Sequence, residues 1–109
     1  MSSSTPGKEL DTTPLLNAIL EKTKAGKLKW EETADEDVFI ASVGGDTTLK
    51  VSKEPGLLVK LSLLSEQGKT VWEVTDLSYE LDELFRLARR VALKVDEKVE
   101  ALLETLQRL

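Results

Sequence analysis

The sequence predicts an α+β domain, with helices from both ends of the chain packed on one face of a four-stranded antiparallel meander. Three observations predict this. A helical apolar period opens the patterned part of the chain, four β-rich segments divided by turn residues fill its middle, and no glycine or proline follows Gly68. A chain of 109 residues has room for one core. The expected organisation is a disordered tail over residues 1–11, followed by a single domain over 12–109.

Residues 1–11 are small and polar and carry no apolar period. The first helix is expected over about 13–25. Thr13 and Pro14 suit a helix start, and Leu15, Leu16, Ile19, Leu20 and Thr23 recur on one face. Lys22 and Lys24 suit the negative end of the helix dipole, and Gly26 suits the left-handed residue that ends it. Residues 27–37 read as a connector that turns from basic to acidic. Trp30 is its one large apolar group, expected to pack on the sheet or the first helix, and a short edge strand also fits there.

The four strands follow. Val38 to Val43 is rich in β-formers, and Gly44, Gly45 and Asp46 make a hairpin turn. Thr47 to Ser52 alternates, with Leu49 and Val51 on one face, before Pro55 and Gly56 punctuate the chain. Leu57 to Leu64 places Leu57, Val59, Leu61 and Leu63 together, and Thr70 to Thr75 does the same for Trp72 and Val74. The short connections make consecutive strands antiparallel neighbours. One apolar and one polar sheet face call for helices on one side only.

From about residue 77 the chain reads as helix, with Asp76 or Ser78 as cap. Leu77, Leu81, Leu84, Ala88, Val91, Val95, Val99, Leu102, Leu106 and Leu109 recur at spacings of three and four. Unbroken, this helix would be about 48 Å long at 1.5 Å per residue. A compact domain of this size is only about 35 Å across. Two arrangements resolve the excess. Either the helix breaks near Lys94, Val95 and Asp96, with Asp96 capping a second helix that folds back, or it stays whole and buries its far stripe against another chain. The absence of a helix breaker favours the second. The expected interface residues are then Val99, Leu102, Leu103, Leu106 and Leu109, with a second copy of the chain as partner.

Composition narrows the chemistry. With no cysteine and no histidine, the chain lacks a thiol nucleophile, thiolate or imidazole metal ligands and the commonest general base. No cofactor is expected and no catalytic constellation is legible, so the chain reads as a non-enzymatic protein. The net charge of −5 disfavours nucleic-acid binding, and no apolar run is long enough to span a bilayer. Without an N-terminal apolar segment of export type, the expected location is cytoplasmic.

Three clusters and one further tryptophan could carry a site. Glu31, Glu32, Asp35, Glu36 and Asp37 could attract a cation but lack the spaced oxygens and glycine of a calcium loop, so they read as a solvated acidic loop. Lys22, Lys24, Lys27 and Lys29 beside Trp30 resemble a basic patch with a stacking aromatic, although the helix dipole already accounts for half of them. Arg86, Arg89 and Arg90 could receive an anion, but Asp82 lies four residues before Arg86, a spacing that forms surface ion pairs. Trp72 reads as core.

The stretch KLKWEETADEDVFIASVGGDTTLKVSK and the later ELFRLARR resemble a pattern of short prokaryotic proteins of unknown function. The likeness rests on Trp30, Phe39, Ala41 and the segment 84–90 and implies no activity. Small acidic dimeric secretion chaperones offer a looser analogy, but they interrupt their strands with a helix. The sequence thus leads to a protein-binding or assembly module that self-associates through its C-terminal helix and uses its sheet or helix groove to contact another protein. A small-ligand binder or enzyme using carboxylates and arginine in a sheet–helix pocket is the alternative.

Overall fold

The computed structural model describes residues 13–76 and 78–109. The expected tail over 1–11 and Leu77, the expected start of the C-terminal helix, lie outside them. The element order is α1 (Thr13–Lys24), β1 (Glu31–Glu32), β2 (Val38–Val43), β3 (Thr47–Lys53), β4 (Val59–Leu64), β5 (Thr70–Asp76), α2 (Tyr79–Ala92) and α3 (Val95–Arg108). The class is α+β, and every neighbouring strand pair is antiparallel in the order β1-β2-β3-β4-β5.

The sheet has five strands rather than four. Glu31 and Glu32 lie opposite Ile40 and Phe39 as a two-residue edge strand. Both are exposed glutamates, so neither alternation nor β-propensity marks them. Their pairing follows from the neighbouring Trp30, which is only 3% exposed and donates its indole N–H to Thr23 Oγ1 at 3.1 Å. Thr23 Oγ1 in turn donates to the Ile19 carbonyl at 2.8 Å. The connector is therefore pinned to α1, and the two residues after the pin fall beside β2. The third expected strand, β4, starts two residues later than its apolar run, at Val59. Pro55 and Gly56 (φ 82°) turn the chain first, and the Glu54 N–H bonds the Leu58 carbonyl across that turn at 2.7 Å.

Register puts the apolar residues on one face. Phe39, Val51, Leu61 and Val74 lie in one row across β2 to β5, and Ala41, Leu49, Leu63 and Trp72 in the next. The opposite face carries rows such as Ile40, Lys50, Ser62 and Glu73. A slip of one residue would exchange the faces, so burial sets the register. Between Leu63 and Leu64 the pairing shifts and leaves Val71 as an extra residue on the edge strand β5. That bulge bends an edge which would otherwise template strand addition.

The helix α2 covers the apolar face. Its N-cap is Ser78, whose Oγ accepts from the Leu81 N–H at 3.3 Å. Leu81, Leu84, Phe85, Ala88 and Ala92 form its buried stripe, and Phe85 meets Phe39 with ring centroids 5.7 Å apart. The helix α1 packs beside α2 and adds Ile19 and Leu20 to the core. A double hydrogen-bond closure ends α1: the Gly26 N–H bonds the Thr23 carbonyl and the Lys27 N–H bonds the Lys22 carbonyl. Gly26 takes φ 76° to make it, as its place in the sequence predicts.

The C-terminal segment is not one helix. Lys94 adopts φ 54° and ψ 45°, left-handed geometry that separates α2 from α3. The favoured continuous helix is overturned and the alternative break near Lys94 is found, but the fold-back that went with it is not: α3 buries none of its residues, and the described chain extends 70 × 29 × 26 Å. Nor does Asp96 cap α3. Lys94 occupies the cap position without a side-chain cap bond, while Asp96 Oδ1 accepts from Arg90 Nη2 at 2.6 Å and Nε at 3.0 Å. The ion pair holds the base of α3 against the end of α2, and the rest of α3 stands clear of the domain.

Candidate interaction surface

The largest group of exposed apolar side chains on one described element lies on α3. Val99, Leu102, Leu103 and Leu106 are 55–58% exposed, and Leu109, just beyond the helix, is 93% exposed. Spacings of three, four and seven place the four helical residues on one stripe, with Glu97, Lys98, Glu100, Glu104 and Arg108 elsewhere on the circumference. All five expected interface residues are thus exposed, four of them on one stripe, and the described residues do not cover them. The stripe is not needed to complete the core, because α1, α2 and the sheet already enclose Val51, Leu61, Leu81, Leu84 and Ala88.

The other candidate clusters come apart or are engaged. Trp30 is buried, so the lysines around it have no exposed indole for a base to stack on. Lys24 pairs with Glu83 at 3.1 Å. Arg86 reaches Asp82 at 3.1 Å, as its spacing predicts, and Arg90 is held by Asp96. Arg89 lines a hollow together with Glu32, Asp35, Glu36 and Asp37. Among the described residues no three carboxylates converge closely enough to hold a metal ion. Trp72 is half-buried against the core.

Two contacts were not legible in the sequence. Thr23 counts there as one of the residues on α1's buried face, but its hydroxyl is the acceptor that anchors Trp30. Lys53 spans from β3 to α2, where Nζ meets Asp82 Oδ1 at 3.1 Å and lies 5.2 Å above the Phe85 ring. The hydrogen bond from Lys53 is the largest influence on Asp82 and holds its carboxyl below the usual range. Lys53 and Asp82 are 29 residues apart, so only the packing of α2 on the sheet reveals their pairing.

An open apolar cleft of about 320 Å³ lies between α1 and the sheet, walled by Leu15, Ile19, Val43, Leu49 and Leu63. No family model, curated protein or solved structure matches this chain. The candidate surfaces therefore stand on their own chemistry. No described helix is long and apolar enough to cross a membrane.

Proposed function

We propose that this chain is a non-enzymatic protein-binding module that self-associates through α3. The observation that carries the reading is a stripe of one valine and three leucines, continued by Leu109, more than half exposed on a helix that contributes nothing to the core. A half-exposed leucine forgoes about 1 kcal/mol of the stabilisation that burial gives, and five such residues on one side form a patch that a monomer rarely leaves in water. A second copy is the simplest cover, because a twofold axis makes the stripe its own complement. Roughly 100 Å² from each residue gives about 1,000 Å² in total for a symmetric pair, the lower bound of specific interfaces. The expected dimer is therefore weak and concentration-dependent.

The test is native mass spectrometry and light scattering on the full chain from micromolar to millimolar concentration, beside the double variant Leu102→Glu/Leu106→Glu. The expected result is a wild-type dimer and a monomeric variant, with Trp fluorescence of the core unchanged. A wild-type chain that stays monomeric throughout the range, or a variant with unchanged mass, overturns the reading.

A second reading, a small-ligand binder, is favoured by the apolar lining of the α1–sheet cleft. Its ligand would be an apolar molecule rather than one held by carboxylates and arginine, since the lining of this cleft contains neither. A bound small-molecule mass in the same native spectrum would support it.

A further inference from the structure

The spacing on α3 carries the direction in which two copies of it meet. Val99, Leu102, Leu106 and Leu109 follow one another at three, four and three residues, the a and d positions of a heptad. Leu103 then falls at the flanking e position, and Lys98 and Thr105 fall at g. Leu103 is 55% exposed, as open as Leu106 in the seam itself. A pair that buried only the a and d seam would leave it in water.

Helix direction decides what covers Leu103. In a parallel pair the e position of one helix lies beside the g position of the other, so Leu103 would meet the ammonium-bearing Lys98 of the second copy. In an antiparallel pair e lies beside e and g beside g. Leu103 then meets Leu103, and the polar Thr105 meets Thr105. The register that sets Leu102 opposite Leu106 also sets Val99 opposite Leu109 and brings the twofold axis to Glu104, one residue from Leu103. The antiparallel direction thus gives all five apolar residues an apolar neighbour.

Charge favours the same direction. Glu104 and Arg108 pair with each other at 3.7 Å, and Asp96 is held by Arg90. Among the described residues, the charges of α3 that enter no ion pair are Glu97, Lys98 and Glu100, all in its first two turns. A parallel pair sets these two net-negative halves side by side, whereas an antiparallel pair sets each against the neutral half of the other. The helix dipoles, aligned in a parallel pair, then also oppose one another favourably.

Resting on the proposed self-association, we infer that the two α3 helices pair antiparallel, with Leu103 meeting its own copy across the twofold axis. The two domain bodies then lie at opposite ends of a shared two-helix rod. The absence of native cysteine lets disulfides report the geometry, since they need Cα atoms about 4.4–6.8 Å apart. Single variants Leu103→Cys, Thr105→Cys, Val99→Cys and Leu109→Cys are oxidised at dimer-forming concentration, and the last two also as a mixture. Linked peptides are identified by mass, and native spectra under reduction give each subunit count. Leu103→Cys is expected to link to itself, and Val99→Cys to Leu109→Cys. Val99→Cys should not link to itself, because ten residues of offset put its two copies about 15 Å apart along the rod. Thr105→Cys removes nothing from the apolar stripe and is also expected to link to itself, so the direction is read even where a stripe variant weakens the pair.

Val99→Cys linking to itself, with no link to Leu109→Cys and none between two copies of Thr105→Cys, shows a parallel pair. That result overturns the direction and leaves self-association standing. A wild-type chain that stays monomeric overturns both, and so does a wild-type dimer in which none of the four positions links.

Discussion

Replacing Lys94 with glycine tests the break between α2 and α3 by the sign of its effect. In the structure Lys94 is left-handed, with φ 54° and ψ 45°, immediately after α2's closing bonds from Leu93 to Arg89 and from Lys94 to Val91. A residue with a Cβ pays roughly 1–2 kcal/mol to adopt that geometry. Glycine avoids this penalty but loses about 0.5–1 kcal/mol more backbone entropy on folding. The net expectation for Lys94→Gly is a gain of up to about 1 kcal/mol, and Lys94→Ala should be neutral because alanine keeps the Cβ. Were the segment one continuous helix, the order would reverse: glycine would cost about 1 kcal/mol and alanine would be the best residue available. Urea unfolding followed by Trp fluorescence reads the difference. A gain of this size raises the midpoint by about 0.5 M at constant slope. Measurement at two protein concentrations separates the backbone effect from association. A midpoint that falls for Lys94→Gly and rises for Lys94→Ala would refute the break.

Three further outcomes are expected. Thr23→Val removes the acceptor of the buried Trp30 indole and should cost about 1–3 kcal/mol in urea unfolding, with a shift in the Trp emission maximum; an unchanged midpoint would show that the pin does not hold β1. Lys53→Met should destabilise the chain at neutral pH by less than about 1 kcal/mol, since Asp82 is 42% exposed and the pair is screened. The Asp82 carboxyl is lowered in the fold, first by the Lys53 hydrogen bond, so its contribution is complete above the unfolded value of about 3.9 and disappears as pH falls through the lower folded value. Asp82→Asn should therefore flatten the acid limb of the stability curve below about pH 4, and an identical acid limb in wild type and variant would contradict it.

The α+β class, the boundaries of β2, the close of α1 at Gly26 and the inward set Leu49, Val51, Val59 and Leu61 are written locally. Each depends on alternation, on helical period or on a glycine at a left-handed turn, all of which act within a few residues. The α3 stripe is legible for the same reason: Val99, Leu102, Leu103, Leu106 and Leu109 repeat on one face whatever surrounds them. Its exposure is not local. The sequence cannot show that Leu84 and Ala88 find the sheet while Leu102 and Leu106, with the same spacing, are left exposed by the described residues.

Tertiary structure decided three matters that the sequence left open or did not show. β1 exists because Trp30 is bonded to Thr23 across seven residues, which places two glutamates without strand character beside β2. The break at Lys94 lacks a glycine or proline to announce it. The end of α2 closes on its own carbonyls and Arg90 grips Asp96, so a lysine is held in a conformation its own propensity disfavours. The Lys53–Asp82 contact forms only once α2 lies across β3. The local period of a sequence determines which side of each element is apolar, because side-chain direction follows backbone geometry. Which of those sides is then covered, and by what, is decided by how far the elements reach one another in three dimensions.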